Sequence, residues 1–455
     1  MGSWRTRSLW TSRAGSPGEL EPLRGTRVAD VVVVGAGFTG LWAALALVEA
    51  DPALDVAVLE AKAAGYGASG RNGGFAMTMV GRNLHDLLRK VGPTRARATH
   101  LAMREQLREI RAFCEREGIA CDLRAPGLLT VSNGPEQDHR IRQDLQAAER
   151  LGLDDLEERS GTQCRALVDS PRIRLGHFER DCLLVDPAAL CLGLREAARR
   201  RGVTVHEASP VLSLAETPTG VRARTPGGEV HADRAVLATN AYAAAVPALR
   251  RFLFTVYAYI VVSEPLDPAQ WDRVGWSTGV GVEDKRIMPH FHRPTPDGRI
   301  LWGGRDAPIA FGPPDPRRDR DPRVFWRLEE SFRWAFPQLA DVAIAGGWGG
   351  PVCGTVNCFA TVGFLGRRQR ICYALGYAGH GVAQSRLAGL IVRDLLLEQR
   401  TERCELPLVT KAPVPLPPEP LGRWLVGGAQ RILQEVDDRQ DDRPALARLA
   451  LAALE

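Results

Sequence analysis

Residues 29–40 read "ADVVVVGAGFTG" and run directly into "LWAALALVEA", residues 41–50. From Val31 to Val48 no residue is charged, a length that would suffice for a bilayer-spanning helix. Three glycines argue against that reading, because Gly35, Gly37 and Gly40 spell G-x-G-x-x-G in the middle of the run. The β-branched "VVVV" before them is the pattern of a buried parallel strand, and the Leu- and Ala-rich stretch after them is a helix former ending near Asp51 and Pro52. Strand, tight turn and helix follow in order, and neither half is long enough to span a membrane. Gly35 then makes the sharp turn, Gly37 lets the backbone approach a pyrophosphate, and Gly40 lets the helix close onto the strand. The helix start, with Phe38 and Thr39, presents N–H groups and a partial positive charge to phosphates.

A second apolar strand, "DVAVLE", ends in Glu60, where a ribose-binding carboxylate belongs. The acid favours a free 2′-hydroxyl, hence NAD or FAD over NADP. Glu60 is followed by "AKAAGYGASGRNGGF", residues 61–75, a long glycine-rich loop where a simple NAD domain would enter its next helix. Ala61, Lys62, Gly67 and Ala68 lie along it, Ser69 and Asn72 offer hydrogen bonds, and Gly73 and Gly74 permit close approach. The loop argues for the larger cofactor, FAD.

Further along, "ICYALGYAGHGVAQSRLAGLIVRDLLLEQ" reads as a strand over 371–375, a glycine-rich turn over 376–381 and an amphipathic helix. Gly376, Gly379, His380, Gly381 and Val382 place a second helix N-terminus where negative charge on a reduced flavin needs stabilising. His380 also admits a purely structural role within the turn.

The rest of the composition excludes more than it assigns. The chain has 455 residues, 45% hydrophobic and 25% charged, which fits a globular protein of two or three domains. A formal net charge of +5 gives no phosphate-tracking surface, so nucleic acid is not indicated. Lysine occurs only at Lys62, Lys90, Lys285 and Lys411, so the basic residues are nearly all arginine. Nine scattered cysteines, with no CxxC pair and no metal-ligand spacing, suggest a reducing, cytoplasmic setting. The first 27 residues lack a secretory pattern and read as an extended arm.

With "DVVVVGAGFTGLWAA", "GASGRNGG", "ADRAVLATNAY", "DGRILWGGRD", "GGWGG" and "YALGYAGHGVA" in this order, the chain resembles FAD-dependent oxidoreductases of the D-amino-acid oxidase and glycine oxidase type, especially the gamma-glutamylputrescine oxidase branch. The resemblance covers about residues 25–400. It implies an α/β fold, with a discontinuous Rossmann-like FAD-binding domain (28–95, 170–250, 350–400) and an α+β antiparallel-sheet substrate domain (96–169, 251–349). It also places Val211 beside the adenine and Thr239 and Asn240 at a strand end near the cofactor. One departure stands out: such proteins usually show Thr-x-Asp-x-x-Pro after the "WGG" piece, whereas "TVNCFA" keeps Thr355 but has Asn357 and Ala360.

The strand "FTVYAYIVVSEPL" puts Tyr257, Tyr259 and Val261 on one face and Ala258, Ile260 and Val262 on the other. The segment "RIMPHFHRPTPDGRILWGG" reads as a hairpin turning at Pro296-Asp297-Gly298, with Met288, His290 and His292 on one face. Tyr257, Tyr259, His292 and Trp348 are the expected walls of a substrate cavity, and Arg305 a partner for a substrate carboxylate. Cys353 is a candidate for covalent cofactor attachment, with noncovalent FAD preferred. Residues 401–455 combine a Pro-rich connector, 411–420, with an amphipathic helix carrying Leu421, Trp424, Leu425, Ile432, Leu433 and Val436. That helix is expected to dock on the protein's own body rather than on a membrane.

The expected reaction is oxidation of the C–N bond of a primary or secondary amine or amino acid, by hydride transfer to flavin N5. Hydrolysis of the imine and reoxidation by O2 to hydrogen peroxide complete it, and no side-chain base or metal is expected. The alternatives are a dehydrogenase of the same fold with another electron acceptor, and an FAD-binding scaffold without catalysis. The partners are a small-molecule substrate and O2 or that acceptor. The oligomeric state is not legible.

Overall fold

The computed structural model describes residues 7–81, 83–356, 358–410, 414–418 and 420–438. The opening stretch folds as expected. The strand Gly25–Val34 leads into the helix Phe38–Ala50, and Val56–Leu59 pairs with the first strand in parallel. The helix is buried almost all round, which explains why its sequence carries so little amphipathic signal.

These strands belong to a sheet that also contains Gly228–Leu237, Thr204–His206 and Ile371–Leu375, paired in parallel, with antiparallel edges at Thr361–Leu365, Val221–Thr225 and Ser213–Glu216. The helices Phe38–Ala50, Pro187–Arg200, Leu84–Glu117 and Gly381–Leu396 pack together on this sheet through one apolar core. The second helix-turn segment therefore lies directly against the first.

A second, largely antiparallel sheet is built around Leu253–Ser263, flanked by Ile344–Thr355 and by the hairpin His290–Pro294 with Ile300–Gly304. The hairpin turns where the Pro-Asp-Gly reading put it, with Gly298 at φ +77°. Gly281–Asp284, Leu128–Ser132, Leu175–Glu179 and Leu156–Ser160 extend the sheet. Leu175–Glu179 lies within 170–250, expected to be FAD-binding, yet its pairing is with Leu128–Ser132 and Leu156–Ser160 in the second sheet. Register across strands distant in sequence, not local pattern, sets that membership.

Two terminal readings are corrected. The N-terminal segment is no free arm: Leu9–Arg13 is a short capped helix, and Trp10 is fully buried against Ile260, Leu301 and Trp348. The C-terminal helix Leu421–Asp438 docks on the protein's own body, as expected, through the later part of the expected stripe, Leu433 and Val436, but not through its start. Val426, Ala429, Leu433 and Val436 are buried, whereas Leu421, Trp424 and Leu425 are exposed. Asp437 fixes this docking by accepting from the backbone N–H of Ile287 and Met288. The connector residues 411–413 and 419 lie outside the described residues. No helix among the described residues is long and apolar enough to cross a membrane.

Buried histidines give the fold a pH dependence of known sign. Burial lowers His292 to about 3, and His177 and His380 to about 4. These values lie below the roughly 6.5 of an exposed imidazole. The unfolded chain thus binds more protons in this window, so stability is intact above pH of about 6.5 and is lost as pH falls toward the folded values. The urea midpoint is expected to drop on going from pH of about 7 to about 5. The drop should be smaller in His292→Phe, which keeps the ring stacked on Trp302 but removes one titrating group.

Candidate active site

The three glycines of the first turn are held by sterics the sequence anticipates. Gly35 has φ +105°, and a Cβ there would sit 2.8 Å from the Ala238 carbonyl oxygen. A Cβ on Gly40 would lie 1.9 Å from the Gly35 carbonyl oxygen, and one on Gly37 2.9 Å from Ser69 Oγ. The turn is thus a cradle without side chains, facing residues 65–74.

That loop is internally fastened. Ser69 Oγ accepts from the Phe38 N–H at 2.9 Å, and Asn72 donates to the carbonyls of Ala68 and Ser69 while accepting from Gly74. Gly67 opens the short turn Ala68–Gly70. Gly73 is pressed by the Phe291 ring, which would lie 2.7 Å from a Cβ there. The N-terminal helix braces the loop from below, Trp10 Nε1 donating to the Asn72 carbonyl at 2.8 Å and Ser8 Oγ to that of Gly70.

Glu60 stands at the end of its strand with one oxygen 2.8 Å from the Ala36 N–H and the other 2.9 Å from the Lys62 N–H. Burial raises its pKa, and these N–H groups oppose that shift. Ala61 and Lys62 are exposed in the following turn, and Val211 is half-buried beside the same end of the sheet. Thr239 follows the strand Gly228–Leu237 and lies against Gly35. Asn240, at φ +44°, accepts from the Gly376 N–H at 3.2 Å.

The two glycine turns meet. Thr39 Oγ1, in the first turn of one helix, donates to the Tyr377 hydroxyl at 2.8 Å, in the turn that opens the other. Gly376 and Gly379 both have positive φ, Gly381 is the first residue of the helix Gly381–Leu396, and Val382 is buried beneath it. His380 occupies the cap position, and its Nδ1 has no hydrogen-bond partner among the described residues. A side-chain-free cradle, two adjoining helix N-termini and a carboxylate at the strand end together fit an extended dinucleotide such as FAD. Cys353 is fully buried and burial pushes its thiol up to about 12, which keeps it from acting as a thiolate.

The expected substrate walls are placed differently. Tyr257, Tyr259 and His292 lie on the sheet face turned away from the cradle, packed with Leu328, Phe332 and Phe336 of the helical layer. The Tyr257 hydroxyl accepts from the Asp315 N–H, the Tyr259 hydroxyl donates to the Arg318 carbonyl, and His292 stacks on Trp302 at 4.4 Å. Trp348 is on the inner face, but its Nε1 donates to the Arg71 carbonyl and its ring fills the space beside Trp10. Arg305, at φ +51°, faces Asp306 at 3.4 Å, an anchor within its own loop. Asn357 lies outside the described residues. Ala360 is buried, and Thr355 Oγ1 donates to the Phe359 carbonyl.

The inner face instead carries residues the sequence reading passed over. Gly303, Phe291, Glu283, Thr130 and His177 form one row across five strands. Phe291 abuts Gly73, so this row faces the cofactor loop. The available signal was "GVEDKR", residues 281–286, in which Glu283 and Lys285 alternate into a buried strand.

The family description "FAD dependent oxidoreductase" matches residues 30–395. Gamma-glutamylputrescine oxidoreductase of Escherichia coli is 32% identical over 393 residues, covering 86% of this chain and 89% of that protein. The probable oxidoreductase OrdL of Haemophilus influenzae is 31% identical over 384 residues, 83% and 85% of the two chains. The crystal structure of glycine oxidase from Geobacillus kaustophilus superposes with a TM-score of 0.71 at 19% identity, covering 84% of this chain and 98% of that one. With the cradle, the second helix turn and this match in agreement, the chain belongs to the FAD-dependent oxidoreductase family.

Proposed function

We propose that this FAD-dependent oxidoreductase of amines or amino acids removes hydride from the carbon beside an amine nitrogen and passes the electrons to O2. The hydrogen bond between Thr39 and Tyr377 carries the reading, because it joins the two turns that must address opposite ends of one cofactor. The similarity to gamma-glutamylputrescine oxidoreductase, whose name specifies an amine-bearing compound, supports a C–N bond as the target.

FAD, when bound, supplies the hydride acceptor. The chain's own residues do the rest. The N-terminus of Phe38–Ala50 would face the pyrophosphate and Glu60 the ribose hydroxyls. The loop 65–74, held by Asn72 and Trp10, would run along the cofactor, and the start of Gly381–Leu396 offers its positive end to negative charge. The second sheet, with Phe291 against Gly73, covers this side and keeps water out. With Cys353 held as a thiol, the arrangement supports noncovalent FAD.

The test is an anaerobic titration of the purified holoenzyme with a panel of alkylamines, diamines and amino acids. An effective substrate is expected to bleach the visible flavin absorbance under argon, and admitted air to restore it within seconds. Slow return in air, with rapid return on adding an artificial acceptor, would assign a dehydrogenase. A flavin that no compound bleaches would overturn amine oxidation.

A further inference from the structure

Glu283 lies in the middle of the inner row, flanked in register by Phe291 on one side and Thr130 on the other. Thr130 Oγ1 donates to its carboxylate at 3.2 Å, and among the described residues Glu283 forms no ion pair. The cation nearest in sequence, Lys285, is committed to Asp144. Arg293 projects from the same face but is spent on the carbonyls of Val185 and Gly74.

Along the same row, and on the helix joined to it through residues 78–79, the structure leaves polar atoms unused. His177 is only 4% exposed, yet neither ring nitrogen has a hydrogen-bond partner among the described residues. Gln384, fully buried in the first turns of the helix Gly381–Leu396, donates to the Met79 carbonyl while its Oε1 is unpartnered. The adjoining Thr78 donates to Glu179, two residues beyond His177 on the same strand face, so residues 78–79 link the row to that helix. A buried imidazole and amide with open valences are expensive unless a ligand completes them.

We propose that Glu283 is a specificity-determining residue that receives an ammonium group of the substrate other than the nitrogen being oxidised, with His177 and Gln384 completing the subsite. This rests on the amine-oxidation reading above. The substrate class is then an alkylamine bearing a second cationic nitrogen. A carboxylate-bearing substrate fits this row poorly, because Glu283 meets it with another carboxyl group and the ammonium of Lys285 is already paired with Asp144. The reacting nitrogen is excluded as the partner, since it must shed its proton before hydride leaves and an adjacent carboxylate would hold that proton in place.

The test compares diaminobutane with butylamine on holoenzyme. Wild type is expected to favour diaminobutane, and Glu283→Gln to lower the ratio of the two kcat/KM values by about 100-fold, the usual scale for losing one partner of a buried charge pair. Glu283→Asp, which keeps the charge, should recover part of that ratio.

A readout independent of turnover is calorimetry on dithionite-reduced holoenzyme in buffers of different ionisation enthalpy. Burial raises Glu283 to about 7, so near that pH a cation binding there expels a proton. Of the charged groups acting on it, Lys285, held charged by Asp144, lowers it, whereas Glu179, itself raised by burial, and Asp284 raise it; His177 in the same row is held neutral. Subtracting Glu283→Gln therefore isolates the expected proton. Proton release on diaminobutane binding that is no smaller in Glu283→Gln than in wild type, or a ratio unchanged in that variant, would overturn the proposal. So would a wild-type preference for butylamine, which needs no variant. If no amine is oxidised at all, the amine reading fails while the calorimetry still decides on Glu283.

Discussion

Gly40→Ala is expected to produce a protein that is purified largely colourless. The added methyl would sit 1.9 Å from the Gly35 carbonyl oxygen, a backbone atom at the junction of strand and helix that cannot swing aside as a side chain would. Overpacking of this kind costs about 1–3 kcal/mol even where side chains can yield. Here the strain falls on the turn that must approach a pyrophosphate, so FAD occupancy should fall by roughly 10- to 100-fold. The matched control is Gly428→Ala in the C-terminal helix, where nothing beyond the adjoining residues and the helix's own backbone lies within 4 Å of the new Cβ. There the same exchange should be neutral or slightly stabilising, by about 0.5–1 kcal/mol. Equal flavin content in the two variants, read from visible absorbance per protein, would contradict the assigned role of the turn.

Arg293→Ala should be the most destabilising single change, by about 3–5 kcal/mol. The side chain has no exposed surface. It donates to the Val185 carbonyl at 2.8 Å and to that of Gly74 at 3.3 Å, with its guanidinium 5.2 Å from the Trp10 ring. Burial lowers its pKa to about 9, yet its charge is retained at neutral pH. Truncation removes the Arg293 donor from the Val185 carbonyl, while Gly74's carbonyl keeps the Val185 N–H, and it opens a void beneath the cofactor loop. Arg293→Lys, with a compact point charge in place of the planar fork, should recover only part of the loss. Urea unfolding of the three proteins measures this, and a loss below about 1 kcal/mol would show that the clamp contributes little.

The two glycine turns on the cofactor side were legible as structure because their signals are local. The spacing of Gly35, Gly37 and Gly40, the distance to Glu60 and the GHG turn each sit within one strand-turn-helix unit, and such units fold the same way wherever they occur. The substrate half was not. In Leu253–Ser263 both faces are apolar, Tyr257, Tyr259 and Val261 against Ala258, Ile260 and Val262, and period-2 alternation cannot say which faces the cofactor. The bulky aromatics went outward, where Leu328 and Phe332 supply a deep helical layer. The inner face kept Ala258, Gly303 and Gly350, residues short enough for another domain to come near. No local pattern marks Glu283 or His177 as belonging to a site. Only the pairing of Gly281–Asp284 with Leu128–Ser132, some 150 positions apart in the sequence, brings them into one buried row.

The N-terminal helix has a consequence for how the chain matures. Trp10 leaves the ribosome well before its resting place, which is made by Ile260, Leu301 and Trp348, residues synthesised long afterwards. Its seating can only follow completion of the second sheet. The loop it props, 65–74, should therefore tighten late in biogenesis, making flavin capture a near-final event rather than a seed for the nascent N-terminal half.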